Sequence, residues 1–400
     1  MGMNQILSAR LLRSLGYLLL LLMAFDGQAM ETQEPPIRVG VTVSLSGEYA
    51  VPGQVELEGI QMWVHDINQR GALLGHRVEL VYYDDQSVPA TSAKLYERLI
   101  TQDKVDLLLG PYGSDITMAA STVAEQHSFP MVATGAATAQ IWARGYHNIF
   151  GVDAQADHYM DLLVESAAGA GLTTIALVYG DSDFPRQVAE GVRVQAAAHN
   201  MRIVFDKEYA PEHADYAGLV KAMKAARPDL VVGGTYLDDS IALVRAAKAA
   251  DFSPKAFAFT VGPALKEFVE QLGKDANGML GVVAWMRSGA IPMAMDFSYR
   301  YKEKFGHNAS YVAALGYGGA QVLEAAVRLA GSLDKDAIRT QLSQMKFQSI
   351  LGRYQVDETG KQIAKSTYVM QVQNGNRLLV LPKSLQESHV EYPFKPWSER

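Results

Sequence analysis

The sequence predicts an α/β fold of two lobes, each built on its own doubly wound parallel sheet. Three observations carry this. Short apolar strands alternate with amphipathic helices of roughly 10–15 residues, the signature of right-handed βαβ units. The alternation runs from Ile37 to Ala133 and restarts at Thr174. The 400 residues are too many for one ordinary domain and suit two.

The first run follows a Pro-rich entry at Pro35-Pro36. Strands are expected at Ile37 to Leu45, Arg77 to Tyr83, Val105 to Leu109 and Met131 to Ala133. Helices are expected at Gln54 to Asn68, Pro89 to Gln102 and Ser114 to His127, the last capped by Ser114 or Asp115. The second run places strands at Thr174 to Tyr179, Arg202 to Tyr209, Leu230 to Gly233, Ala256 to Phe259 and Met279 to Val283. Its helices are Pro185 to His199, Tyr216 to Ala226, Ser240 to Ala250 and Pro263 to Leu272. A third section is mostly helical, with Met295 to Phe305, Tyr317 to Ala330 and Lys335 to Met345. It ends in a hairpin, because Tyr368 to Val372 and Arg377 to Leu381 flank the tight-turn pair Asn374-Gly375. The tail after Pro382 has little periodicity and is expected to drape over a surface.

Composition narrows the function classes. Hydrophobic residues at 48% and charged residues at 20% fit a soluble globular protein. A net charge of −7 argues against a nucleic-acid partner, which needs clustered Lys and Arg. Arg10 and Arg13, the apolar run Leu15 to Phe25 and the small residues of Gly27-Gln28-Ala29 read as a cleaved secretory signal peptide over residues 1–29. A membrane anchor is the alternative, but the run is about half of the roughly 20 residues that span a bilayer. The chain has no cysteine, so an exported form has neither disulfides nor a lipid-bearing N-terminal Cys. A diffusible periplasmic protein fits both facts.

Enzyme motifs are missing. The first strand leads into Leu45-Ser46-Gly47-Glu48-Tyr49 rather than G-x-G-x-x-G, and neither a phosphate-binding loop nor a G-x-S-x-G elbow is present. The nine histidines are scattered and no cysteine joins them, so no metal and no cofactor are expected. What remains is a binding site at strand ends, where open parallel sheets hold ligands. Gly110-Pro111-Tyr112-Gly113-Ser114-Asp115 opens a helix whose free N–H groups favour an anion. Ser114 serves there either as a ligand donor or as a plain N-cap. The next strand end, Thr134-Gly135-Ala136-Ala137-Thr138, is small and polar, so backbone can approach a ligand closely.

Several segments in order resemble one family. They are Ile37-Arg38-Val39-Gly40-Val41 with Leu45-Ser46-Gly47; Gly59, Asp66-Ile67-Asn68, Arg70-Gly71 and Leu74-Gly75; and Tyr83-Asp84-Asp85-Gln86-Ser87 with Pro89. Leu109-Gly110-Pro111 with Ser114, Pro130 with Ala136-Ala137-Thr138, and Gly233-Gly234-Thr235-Tyr236 follow. In this order and spacing the chain resembles the type I periplasmic binding proteins, specifically the leucine/isoleucine/valine-binding group of ABC importers. The resemblance implies two lobes joined by a three-crossover hinge near Asp153, Trp285 and Ser366. The lobes would take residues 36–153 plus 286–365 and residues 154–285 plus 366–400. It implies that Ser114, Ala136 and Thr138 hold the ligand carboxylate and amino end, that Phe184 and Tyr236 close over the side chain, and that Tyr112 and Pro52 line the apolar pocket. The expected partners are a small carboxylate and an inner-membrane ABC permease, with the protein a monomer and not an enzyme. A ligand sensor for a membrane receptor would use the same fold.

One position departs from the family pattern. Amino-acid-binding relatives present a Glu or Asp after the strand matching Phe257-Ala258-Phe259, where this chain has Thr260-Val261-Gly262-Pro263. A buried ammonium without a carboxylate is costly. Either another acid serves, with Asp181, Asp183 and Asp238 as candidates, or the ligand is an amine-free aromatic or aliphatic carboxylate facing the aromatic wall of Tyr112, Phe184 and Tyr236.

Overall fold

A computed structural model describes residues 34–289, 291–393 and 395–399. The signal peptide expected over residues 1–29 lies outside them. The chain runs β1 (Ile37–Val43), α1 (Ala50–Gln69), β2 (Val78–Asp84), α2 (Pro89–Thr101), β3 (Leu107–Leu109), α3 (Ser114–Gln126), β4 (Met131–Ala133) and β5 (Ile149–Gly151). These five strands form one parallel sheet in the order β2-β1-β3-β4-β5. Strand alternation divides its side chains between two faces. Leu107, Leu109 and Val132 join the core under α1, while Leu108, Met131 and Ala133 pack on the other side with Tyr96 of α2 and Ala120 of α3.

The second run comprises α4 (Asp161–Gly169), β6 (Thr174–Gly180), α5 (Asp183–Ala198), β7 (Arg202–Tyr209), α6 (Tyr216–Ala226), β8 (Leu230–Gly234), α7 (Leu237–Ala249), β9 (Ala256–Phe259), α8 (Lys266–Leu272) and β10 (Leu280–Val283). The third comprises α9 (Ala294–Phe305), α10 (Tyr311–Ala330), α11 (Lys335–Gln344), the small hairpin β11 (Phe347–Ser349) and β12 (Gly352–Tyr354), then β13 (Tyr368–Gln373) and β14 (Asn376–Leu381). The second sheet has the order β14-β13-β10-β9-β8-β6-β7. Its β7-to-β10 part is parallel, and β13 and β14 extend it as an antiparallel edge.

The chain therefore passes between the sheets three times: after β5, after β10 and between β12 and β13. The middle passage brings α10 along α1. That pairing depends on Gly59, where an added Cβ would lie 2.1 Å from the Ala313 carbonyl oxygen. The first and third passages are clipped together by Thr367 Oγ1, which donates to the Tyr159 carbonyl at 3.0 Å. The tail returns to the second sheet, where the Trp397 indole donates to the Phe252 carbonyl at 2.9 Å.

Several elements differ from expectation. α10 begins at Tyr311 rather than Tyr317, because Ser310 caps it by accepting the N–H groups of Val312 and Ala313. The expected helix from Pro263 breaks into a short turn at Gly262–Ala264 and α8. β5 and α4, both short, have no counterpart in the expected pattern.

Candidate functional site

Both sheets reverse their strand order once, between β1 and β3 in the first and between β6 and β8 in the second. Such switch points leave a crevice beyond the strand ends. The residues just past these four strands face one another: Tyr49 after β1, Tyr112 and Ser114 after β3, Phe184 after β6 and Tyr236 after β8. They form a chain of ring contacts from lobe to lobe. Tyr49 meets Tyr112 at 5.9 Å and Tyr236 at 4.9 Å between centroids, Phe184 meets Tyr236 at 5.9 Å, and Tyr159 meets Phe184 at 5.3 Å. Across the same gap, Gln187 of α5 accepts the Ala139 N–H at 2.5 Å.

The cavity between them is lined by Tyr112, Gly113, Ser114, Gly135, Ala137, Asp153, Tyr159, Phe184, Tyr236, Val261 and Tyr311. Its free volume is about 20 Å³, on the scale of one water molecule. That is too small for a ligand of amino-acid size with the side chains as they stand. A larger inter-lobe groove of about 690 Å³ lies on the other side of Tyr311, bordered by Trp285, Arg287, Ser310 and Arg377.

The polar end of the cavity is built on Ser114. The residue does not cap α3; Gly113 occupies that position at φ 94°, a left-handed conformation that favours glycine. The Ser114 oxygen instead accepts the N–H groups of Ala137 at 3.2 Å and Thr138 at 3.3 Å. This ties the β3 end to the β4 end. It leaves the hydroxyl hydrogen uncommitted to any acceptor among the described residues, beside the cavity and at the positive end of α3.

Of the ten residues singled out from sequence, Ser114, Tyr112, Phe184, Tyr236 and Val261 line the cavity. The other five do not. Ala136 points to the opposite face of the sheet, into the cluster with Ile141 and Trp142, and its neighbours Gly135 and Ala137 form the wall instead. Thr138 contributes its backbone N–H to Ser114 while its hydroxyl turns to Gln140. Pro52 is buried in the first turn of α1, away from the lining. Asp181 and Asp238, near the starts of α5 and α7, stand in solvent. Asp183 is half-buried and also outside the lining.

Sequence reasoning missed Tyr49, which makes the ring contact to Tyr236, and the lining residues Asp153, Tyr159 and Tyr311. Tyr49 carried a local signal, since it stands in the loop after β1, at the start of α1. The other three come from the passages between sheets, where no short motif marks them.

Acidic groups surround the site in three settings. Glu56 of α1 is fully buried, and burial pushes its carboxyl from 4.5 up to about 8. Thr134 Oγ1 lies 2.6 Å from Glu56 Oε1 and 2.7 Å from the Gly110 carbonyl oxygen. A hydroxyl has one hydrogen, and the carbonyl can only accept, so the arrangement is satisfied when Glu56 is protonated and donates to Thr134. Asp153 lines the cavity itself, accepting from Ala154 N–H at 2.7 Å and Tyr159 OH at 2.8 Å. At the rim, Glu48 is exposed, and partial desolvation by its surroundings and then the neighbouring carboxylates of Asp239, Asp115, Asp238 and Glu212 raise it.

A family model described as periplasmic binding protein matches residues 36–377. The chain belongs to the periplasmic binding protein family. That family comprises solute-binding proteins rather than enzymes. The Leu/Ile/Val-binding protein homolog 7 of Brucella abortus (strain 2308) is 25% identical over 378 residues, spanning 89% of this periplasmic binding protein and 94% of that one. Among solved structures, the branched-chain amino acid transporter substrate binding protein LivJ from Streptococcus pneumoniae, in complex with isoleucine, superposes with a TM-score of 0.79. It shares 23% identity and covers 90% of this chain and all (100%) of its own. The ABC transporter solute binding protein RPA0668 from R. palustris, in complex with benzoate, gives 0.77 at 19% identity, covering 86% and 95%. These likenesses carry the two-lobed type I fold.

Proposed function

We propose that this periplasmic binding protein captures a small apolar carboxylate between its lobes and delivers it to an inner-membrane ABC permease. In this reading residues 1–29 direct export and are removed, and the monomeric mature protein works in the periplasm. The lobes would be residues 36–153 plus 286–365 and residues 154–285 plus 366–400, turning about the three passages. The observation that carries the reading is Ser114: an uncommitted hydroxyl donor at the start of α3, its oxygen already bound by two N–H groups, facing an aromatic cavity. The carboxylate docks there. Phe184 and Tyr236 then close over the apolar part and exclude water, and the closed form is what the permease reads.

A hydrophobic amino acid, branched-chain or otherwise, is the ligand class this favours. The second reading, an amine-free acid of the benzoate type, is favoured by Val261, which lines the cavity where a carboxylate would pair an ammonium. Thermal melting of the mature protein against leucine, isoleucine, valine, phenylalanine and benzoate tests the capture. A ligand that binds only the folded form raises the melting temperature. At least one of these acids is expected to do so, and flat responses to all five would refute the reading.

A further inference from the structure

We infer that Asp153 is the carboxylate that receives the α-ammonium group of the ligand, so that the cleft selects amino acids over their amine-free counterparts. This rests on the proposed capture of a carboxylate at Ser114 and names the ligand class for that site.

The inference begins with the acids near the cleft. Asp181 and Asp238 are exposed. Asp239 is held by Tyr216 OH at 2.5 Å, and Asp115 lies at the rim beside Tyr49. Glu56 sits behind Tyr112 and Gly135 and is not part of the wall. Among the described residues that line the cavity, Asp153 is the one carboxylate.

Its surroundings suit a cation. The side chain is buried, and its two oxygens each accept one hydrogen bond from a neutral donor. A carboxylate has about four lone-pair sites, so about half its capacity is unspent. No Lys or Arg of the described residues lies within ion-pair distance of it. Lys365 acts on it only at longer range, and the Lys365 ammonium is itself spent on the Leu351 carbonyl at 2.5 Å. Burial raises Asp153 to about 6, which still leaves it ionised at neutral pH. A buried charge with neutral partners alone is costly, and a ligand ammonium relieves that cost. The cavity then presents a donor, Ser114, and an acceptor, Asp153, to the two ends of one zwitterion. The carboxylate absent from position 261 has its counterpart on the first passage between the sheets.

The test is calorimetric titration of leucine and 4-methylpentanoate, and of phenylalanine and 3-phenylpropanoate, into wild type, Asp153→Asn and Ser114→Ala. Wild type is expected to bind the amino acid of a pair at least about tenfold more tightly than its amine-free partner, as a charge-assisted hydrogen bond implies. Asp153→Asn should lose that preference while retaining the amine-free acid. Equal binding of both partners by wild type, or an unchanged preference in Asp153→Asn, overturns the assignment. Failure of the carboxylate capture looks different: Ser114→Ala then binds every ligand as wild type does.

A measurement on wild type covers the case in which Asp153→Asn fails to fold. The ionisable groups facing Asp153 are Tyr159, Tyr311 and Lys365. Burial raises both tyrosines, and Lys365, lowered by burial, titrates near 8, so of the groups that face it Asp153 alone titrates between pH 7 and 5. Protonating it removes the ammonium's partner. Leucine affinity should fall by up to about tenfold per pH unit below about 6. A leucine affinity that is flat from pH 7 to 5 counts against Asp153.

Discussion

Ser114→Ala is expected to weaken ligand binding by about 10- to 100-fold, the worth of a hydrogen bond from a neutral donor to a charged acceptor in a buried site. Two losses combine. The ligand carboxylate loses its hydroxyl donor, and the N–H groups of Ala137 and Thr138 lose the oxygen that fixes the β4 end against α3. The second loss also bears on folding, at about 1–3 kcal/mol for each N–H left without a partner. The variant should therefore melt lower as well as bind more weakly. Calorimetric titration and thermal melting separate the two effects. A binding loss of less than about threefold would mean that the ligand docks elsewhere in the cleft.

Glu56→Gln is expected to change the pH dependence of stability more than any other single substitution near the cleft. The folded protein holds Glu56 protonated up to about pH 8, whereas the unfolded chain loses that proton near 4.5. Between those values the folded state binds the extra proton, so stability falls as pH rises, by about 1.4 kcal/mol per pH unit from this group. The cost is absent below pH 4.5 and fully present above pH 8. Asp153, raised to about 6, adds a term of the same sign at lower pH. Glutamine keeps the shape, donates to Thr134 Oγ1 through its amide and cannot ionise. Denaturant unfolding at a series of pH values should show a shallower decline in the variant, and a variant more stable than wild type at pH 8. Parallel curves for the two proteins would show that Glu56 is already ionised in the fold.

The legible and illegible parts of this fold divide along a physical line. Strands with buried, alternating faces such as Leu107–Leu109, and helices that follow them, leave a local pattern that a reader of the chain can recover. So do the cavity-lining residues directly past strand ends: Tyr112, Ser114, Phe184, Tyr236 and Val261. Asp153, Tyr159 and Tyr311 leave none, because their positions depend on how the passages between sheets dock, a long-range matter. The Ala136 side chain faces away from the cavity that Gly135 and Ala137 line, because along an extended segment one residue reverses the face to which a side chain points. Ser114 shows the converse. Its place at a helix start suggested either capping or ligand binding, and only the contacts with Ala137 and Thr138 reveal that its lone pairs serve the backbone while its hydrogen remains available.

The chain of aromatic rings joining Tyr112, Tyr49, Tyr236 and Phe184 exists only when the lobes are together. With about 20 Å³ between the side chains, the proposed capture needs an open form that closes on its ligand. Small-angle X-ray scattering of the mature protein, with and without a ligand found by thermal melting, tests this most directly. The radius of gyration should decrease on saturation in wild type, and Ser114→Ala at the same ligand concentration should remain expanded. Saturable binding with an unchanged radius of gyration would contradict capture by closure.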